Sequence, residues 1–94
     1  MRQGGGKTHL ILSEEEQARA VQCIIENVSQ VRLLQFYTEI LKDPEWLTLH
    51  HFGIGIEIRN LLRFNGFSWD DITLDHEWEQ ITLAAIRTIS ENAQ

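Results

Sequence analysis

A single cysteine, Cys23, stands in this chain of 94 residues, so no disulfide can close within it and nothing asks for an oxidising compartment. No apolar run approaches the roughly 20 residues that a membrane span needs, and no signal peptide is visible, so the expected location is cytoplasmic. Basic residues are also few. Eight Lys and Arg stand against 14 Asp and Glu, for a net charge of −6, and the eight are scattered singly. Backbone contacts to nucleic acid need clustered cations, so nucleic acid is not an expected partner. An acidic balance suits a basic protein partner, or simply solvated helix faces that keep a small protein in solution.

Motifs with chemistry are missing too. There is no His-x-x-x-His or Cys-x-x-Cys spacing for a metal, and Asp70, Asp71 and Asp75 lack the rhythm of a calcium loop. Gly4-Gly5-Gly6-Lys7-Thr8 has the tail of a phosphate-binding loop, but the glycine needed five positions before Gly6 falls on Met1. Ser13, Ser29 and Ser68 read as helix-boundary residues and Cys23 as a small core hydrophobe, so no nucleophile sits beside an evident base. Neither a catalytic set nor a metal or other cofactor is expected.

What is present is a globular composition, with 43% hydrophobic residues and three tryptophans, enough for one core. Residues 1–8 read as a flexible lead-in and 9–94 as a single helical domain. Ser13-Glu14-Glu15-Glu16 is a capping box with three carboxylates at the positive end of a helix dipole. Ala18, Val21, Ile24, Ile25, Val28 and Val31 follow at helical spacing, and Leu33, Leu34, Tyr37, Ile40 and Leu41 continue with shifted phase. The weak spot at Asn27-Val28-Ser29 leaves open one long helix or two joined at a bend. Lys42-Asp43-Pro44 ends it, with Asp43 and Pro44 as cap and first residue of a helix over 45–51. Ser68 is expected to cap a short turn, with Phe67 and Ile72 in staple positions, and Asp75 to cap a last helix over 76–91. The inner face of that helix would be Trp78, Ile81, Thr82, Ala85, Ile86 and Ile89.

The stretch 49–62 is the densest apolar run and carries Gly53 and Gly55. In steps of two it reads as a strand. In helical steps Ile54, Ile58, Leu61 and Leu62 form a stripe that ends at Asn65-Gly66, a natural left-handed stop. The helix is preferred because Leu61-Leu62 breaks the alternation. Each glycine costs a helix about 1 kcal/mol relative to alanine, which close approach of another backbone would offset. The expected fold is therefore all-α, a small bundle of four or five helices with short connections and with 51–62 as its buried spine. A strand of 52–58 paired with His9 to Leu12 is the alternative.

His51, Arg59, Asn60 and Asp71 are the candidate site residues. A guanidinium at the edge of an apolar stripe is commonly paired, so Arg59 is expected to clamp Asp70 or Asp71. The other reading is an anion site with Arg59, Asn60 and His51 open to a ligand, convergent on a concave pocket. Adjacent His50 and His51 point about 100° apart on a helix and cannot readily share a metal.

His51-Phe52-Gly53-Ile54-Gly55 and Ile58-Arg59-Asn60, followed by Asp70-Asp71 and Trp78, resemble a family of small bacterial domains of unknown function whose recurring element is His-Phe-Gly-x-Gly-x-x-Ile-Arg-Asn. The similarity covers roughly 49–81, with a shorter interval between Asn60 and the aspartates than in that family. The resemblance implies a bacterial or phage setting and a mainly helical fold, and no activity. Taken together these features point to a non-catalytic interaction or regulatory module, of inhibitor or immunity type, that acts through a protein partner or self-association. Trp46, Trp69 and Tyr37 would anchor its interface if exposed. A small-anion-binding or enzymatic domain built on His51, Arg59, Asn60 and Asp71 is the alternative.

Overall fold

Ser13 begins the helical part as its spacing predicts. In the computed structural model, which describes residues 12–92, its hydroxyl accepts the amide N–H of Glu16 at 3.0 Å and opens α1, Glu14–Asn27. The break expected near Asn27 is real. Val28 turns to extended backbone, Ser29 caps again by accepting the N–H of Arg32 at 3.2 Å, and α2 runs over Gln30–Lys42. The lead-in and most of the 9–12 arm lie outside the described residues; Leu12 is described and is buried.

Asp43 closes α2 and its carboxylate accepts the N–H of Glu45 at 3.1 Å. The helix expected over 45–51 shrinks to one turn, α3, Trp46–Leu49. After it the chain winds wider: His51–Gly55 is π-helical, with the Gly55 N–H donating to the His50 carbonyl five residues back at 3.2 Å. From there α4, Ile56–Phe64, runs to Gly66. Gly66 has φ +95°, and the Phe67 N–H returns to the Leu62 carbonyl at 3.0 Å, the left-handed stop that Asn65-Gly66 foretold.

The last helix departs from expectation. α5 is one element of 22 residues, Asp71–Asn92, not a short turn followed by a helix capped at Asp75. Asp70 supplies the cap by accepting the Thr73 N–H at 2.7 Å, while Ser68 stays exposed in the connection and Asp75 lies one turn inside. Asp70 was the better placed of several capping residues, because Ile72, Thr73 and Leu74 already continue the helical phase of Trp78 and Ile81.

α5 is the spine of the molecule: α1, α2 and α4 all pack on it. Its buried row is Leu74, Trp78, Ile81, Ala85 and Ile86, with Thr73 and Thr82 fully enclosed. The Thr82 hydroxyl satisfies itself on the Trp78 carbonyl at 2.7 Å. The segment 51–62 is thus not the buried spine but an amphipathic cover. It turns Ile54, Gly55, Ile58 and Leu62 inward and leaves Phe52, Gly53, Ile56, Glu57 and Asn60 outside. No strand occurs among the described residues, so the strand alternative for 52–58 falls and the bundle is all-α.

Gly55 explains the wide turn. A Cβ there would stand 3.0 Å from Cζ2 of Trp78, so the close approach is to a tryptophan ring, not to another backbone. Gly53 faces open space and answers no such need.

Candidate functional site

The four candidate residues do not converge on a pocket. Three of them, His51, Arg59 and Asp71, lie along the seam with α5. Arg59 Nη1 lies 3.5 Å from Asp75 Oδ1, and His51 Nε2 reaches the same oxygen at 3.7 Å. Arg59 also donates through Nε to the Gly55 carbonyl at 3.2 Å, tying the π-helical turn to α4. Asp71 belongs to a different cation, Arg63, one helical turn further on. Because the pairs run Arg59–Asp75 and Arg63–Asp71, α4 and α5 are antiparallel. The expected clamp of Arg59 on Asp70 or Asp71 is therefore shifted by one turn, since merging the final turn into α5 brings Asp75 level with Arg59. Asn60 is exposed on the opposite face of α4.

The connection before α5 is pinned from α1 instead. Trp69 donates its indole N–H to Glu16 Oε2 at 2.7 Å, Phe67 and Trp69 meet edge to face at 5.3 Å, and the Arg19 guanidinium lies 5.6 Å from the centre of the Phe67 ring. Trp69 is buried and Trp46 and Tyr37 are half-buried, so the tryptophans and tyrosine serve the core and its edges. The two histidines separate as their adjacency requires. His50 donates from Nδ1 to the Trp46 carbonyl at 2.8 Å, while His51 turns towards Asp75 and Trp78.

Burial pushes the Cys23 thiol up from its ordinary value, which disfavours the thiolate a nucleophile would need. Among the described residues no three of His, Cys, Asp and Glu are grouped to hold a metal ion. A hollow of about 280 Å³ lies between α1 and α5, walled by Gln17, Val21, Glu77, Gln80 and Ala84 among others. A second, of about 130 Å³, lies between Tyr37 and Ile40 of α2 and Leu83, Ile86 and Arg87 of α5. Neither is lined by His51, Arg59, Asn60 or Asp71.

What stands out is apolar surface on the wrong side. Phe64 is 91% exposed, Phe52 83%, Leu49 69% and Ile56 41%. Ile56, Asn60 and Phe64 follow one another at helical spacing along the outer face of α4, Phe52 precedes Ile56 by one turn, and Leu49 precedes Phe52 by three residues. Helical geometry requires this outcome once Ile54, Ile58 and Leu62 turn inward. The signal was in the sequence, since Phe52 and Ile56 fall one turn apart and off the stripe that Ile54 and Ile58 share. Charged residues flank the row: Glu57, which is joined to Arg32 of α2, and Arg63, which is joined to Asp71. The Arg32 guanidinium holds the Glu57 carboxyl below the usual carboxylate range through their hydrogen bonds.

The fold and surface define a small all-α bundle with exposed apolar residues along the outer side of 49–64. No family model, no curated protein and no solved structure matches the chain.

Proposed function

We propose that this protein is a non-catalytic interaction module that docks a protein partner on the row Leu49, Phe52, Ile56 and Phe64. One observation carries the reading: Phe52 in the π-helical turn and Phe64 at the end of α4 are almost wholly exposed, while Ile54, Ile58 and Leu62 of the same stretch are buried in the core. Single exposed apolar residues are ordinary, but several large ones gathered on one outward side and flanked by charge point to an interaction site. Large aromatics at such positions dominate binding energy when a partner desolvates them. The seam of paired charges supports the same reading, because Arg59 and Asp71 are already engaged by Asp75 and Arg63 and serve to hold α4 in place. An anion pocket built on His51, Arg59, Asn60 and Asp71 has less support, since the four line no common hollow.

The likeness of 51–60 to small bacterial domains belongs to the same proposal, with a regulatory or inhibitor role in the cytoplasm. The test is site-specific photo-crosslinking in the source cells, with a benzophenone amino acid at Phe64 or Phe52 and, as control, at exposed Thr88 on α5. Protein adducts from the first two positions and none from Thr88 are expected. Adducts from all three alike, or from none, contradict the reading.

A further inference from the structure

We infer that the groove along α5, where α1 and α2 flank it, is a second binding site, which takes the C-terminal carboxylate of a peptide ending in a branched aliphatic residue. The site is separate from the α4 face, since no residue of 49–64 lines either hollow. It is organised by one arginine. Arg19, Arg32, Lys42, Arg59 and Arg63 each lie within ion-pair distance of a carboxylate, those of Glu16, Glu57, Glu39, Asp75 and Asp71. Arg87 is the exception among the described lysines and arginines, in a chain with an excess of acid. Glu91 follows it by one turn without forming an ion pair, and arginine before glutamate is the weaker order on a helix. Arg87 is exposed and lines both hollows, as does Leu83 one turn earlier, so the two adjoin along α5.

The smaller hollow supplies the apolar half of the recognition. Beside Arg87 its walls are Tyr37, Ile40, Leu83 and Ile86, and its 130 Å³ suits one aliphatic side chain, not a whole small molecule. The Tyr37 hydroxyl meets no protein group among the described residues. A guanidinium presents a planar fork that matches a carboxylate, and a phenol adds a further donor. Two donors on the wall of an apolar hollow hold the charge of an aliphatic carboxylate while its side chain enters. The larger hollow decides between a free acid and a peptide. It continues from Arg87 past Ala84 and Gln80 to Gln17 of α1. Carboxamides along an open cleft pair with the N–H and C=O groups of a peptide backbone, which a short free acid lacks. Glu77 also lines this hollow, ten residues before Arg87 and so about 15 Å from it along the helix axis. Negative charge at 77 and positive charge at 87 set the direction, with the peptide's C-terminus at Arg87.

The test is a titration of the isotope-labelled full chain with acetyl-Ala-Ala-Leu, read by amide NMR. The same peptide with a C-terminal amide, acetyl-Ala-Ala-Gly and 4-methylpentanoate serve as controls. The acid peptide is expected to shift Tyr37, Ile40, Leu83 and Arg87, with dissociation on the order of 100 µM. Each control should bind at least about tenfold more weakly, for want of the charge, the side chain or the backbone. Arg87→Gln should weaken the acid peptide by a similar factor, and Arg87→Lys, which keeps the charge and loses the fork, should fall between. Arg87 is exposed, so both variants are expected to fold, which circular dichroism verifies. Absence of shifts at millimolar peptide, unchanged affinity in Arg87→Gln, or equal binding of the acid and the amide would overturn the inference. Equal binding of 4-methylpentanoate would overturn the assignment to a peptide. Shifts confined to 49–64 would place the peptide on the α4 face and overturn the groove as its site, whereas failure of the groove leaves the crosslinks expected from Phe52 and Phe64 untouched.

Discussion

Gly53 and Gly55, two residues apart, are expected to respond in opposite ways to the same substitution. Both glycines weaken a helix by roughly 0.5–1 kcal/mol relative to alanine. At Gly53 nothing lies within 4 Å of the added methyl, so Gly53→Ala recovers that amount and raises the melting temperature by a few degrees. At Gly55 the methyl meets the Trp78 ring at 3.0 Å, and Trp78 is enclosed on every side, so the ring cannot retreat. Overpacking of this kind costs about 1–3 kcal/mol and outweighs the gain in propensity. Thermal unfolding by circular dichroism reads both; equal effects would mean that the wide turn is not set by Trp78. Glu57 carries the pH dependence at this scale. Its folded value lies below the ordinary 4.5, so its pairing with Arg32 stabilises the fold above that pH and is lost as the pH falls through the lowered folded value. Both side chains are well exposed, which limits the effect to about 0.2–1 kcal/mol. Glu57→Gln should flatten that part of an acid-unfolding curve while changing neutral-pH stability by no more than this amount. A curve of unchanged steepness would place the acid sensitivity elsewhere.

At the scale of elements, the first helix start and the breaks and stops after it were legible, and the start of α5 was not. Ser13, the break at Asn27-Val28-Ser29, the stop at Asn65-Gly66 and the inner face of the last helix could all be read from residue type and spacing. The length of α5 could not, because Ser68, Asp70, Asp71 and Asp75 are all competent caps and only packing chooses among them. Asp70→Ala should therefore destabilise the protein by about 1 kcal/mol through loss of the Thr73 contact, whereas Ser68→Ala should have almost no effect. Urea unfolding of the two variants separates them, and a larger loss at Ser68 would contradict the single-helix start. The π-helical turn was also hidden. Its cause is a ring 23 residues away in sequence, and local spacing shows only two glycines that need an explanation. The ion pairs were half legible: that Arg59 would be paired followed from its place beside the stripe, but its partner depended on where α5 begins.

For the whole molecule, the central helix is α5, with α4 as a cover whose outer side carries Ile56 and Phe64 among Glu57, Asn60 and Arg63. Periodicity found the inner side. The outer row went unweighed at the sequence level because Phe52 and Phe64 are ordinary core residues by type, and exposure is decided only once all the helices have been placed. Since these side chains touch little, Phe52→Ser with Phe64→Ser should leave folding stability within about 0.5 kcal/mol of the wild type. That this face exists to be covered is read out by amide NMR of labelled wild type and of this double variant, before and after unlabelled extract of the source cells is added. Broadening or shift changes confined to residues 49–64 in the wild type and absent from the variant are expected. No change on addition, or changes centred on α1 and α2 that persist in the variant, would rule it out.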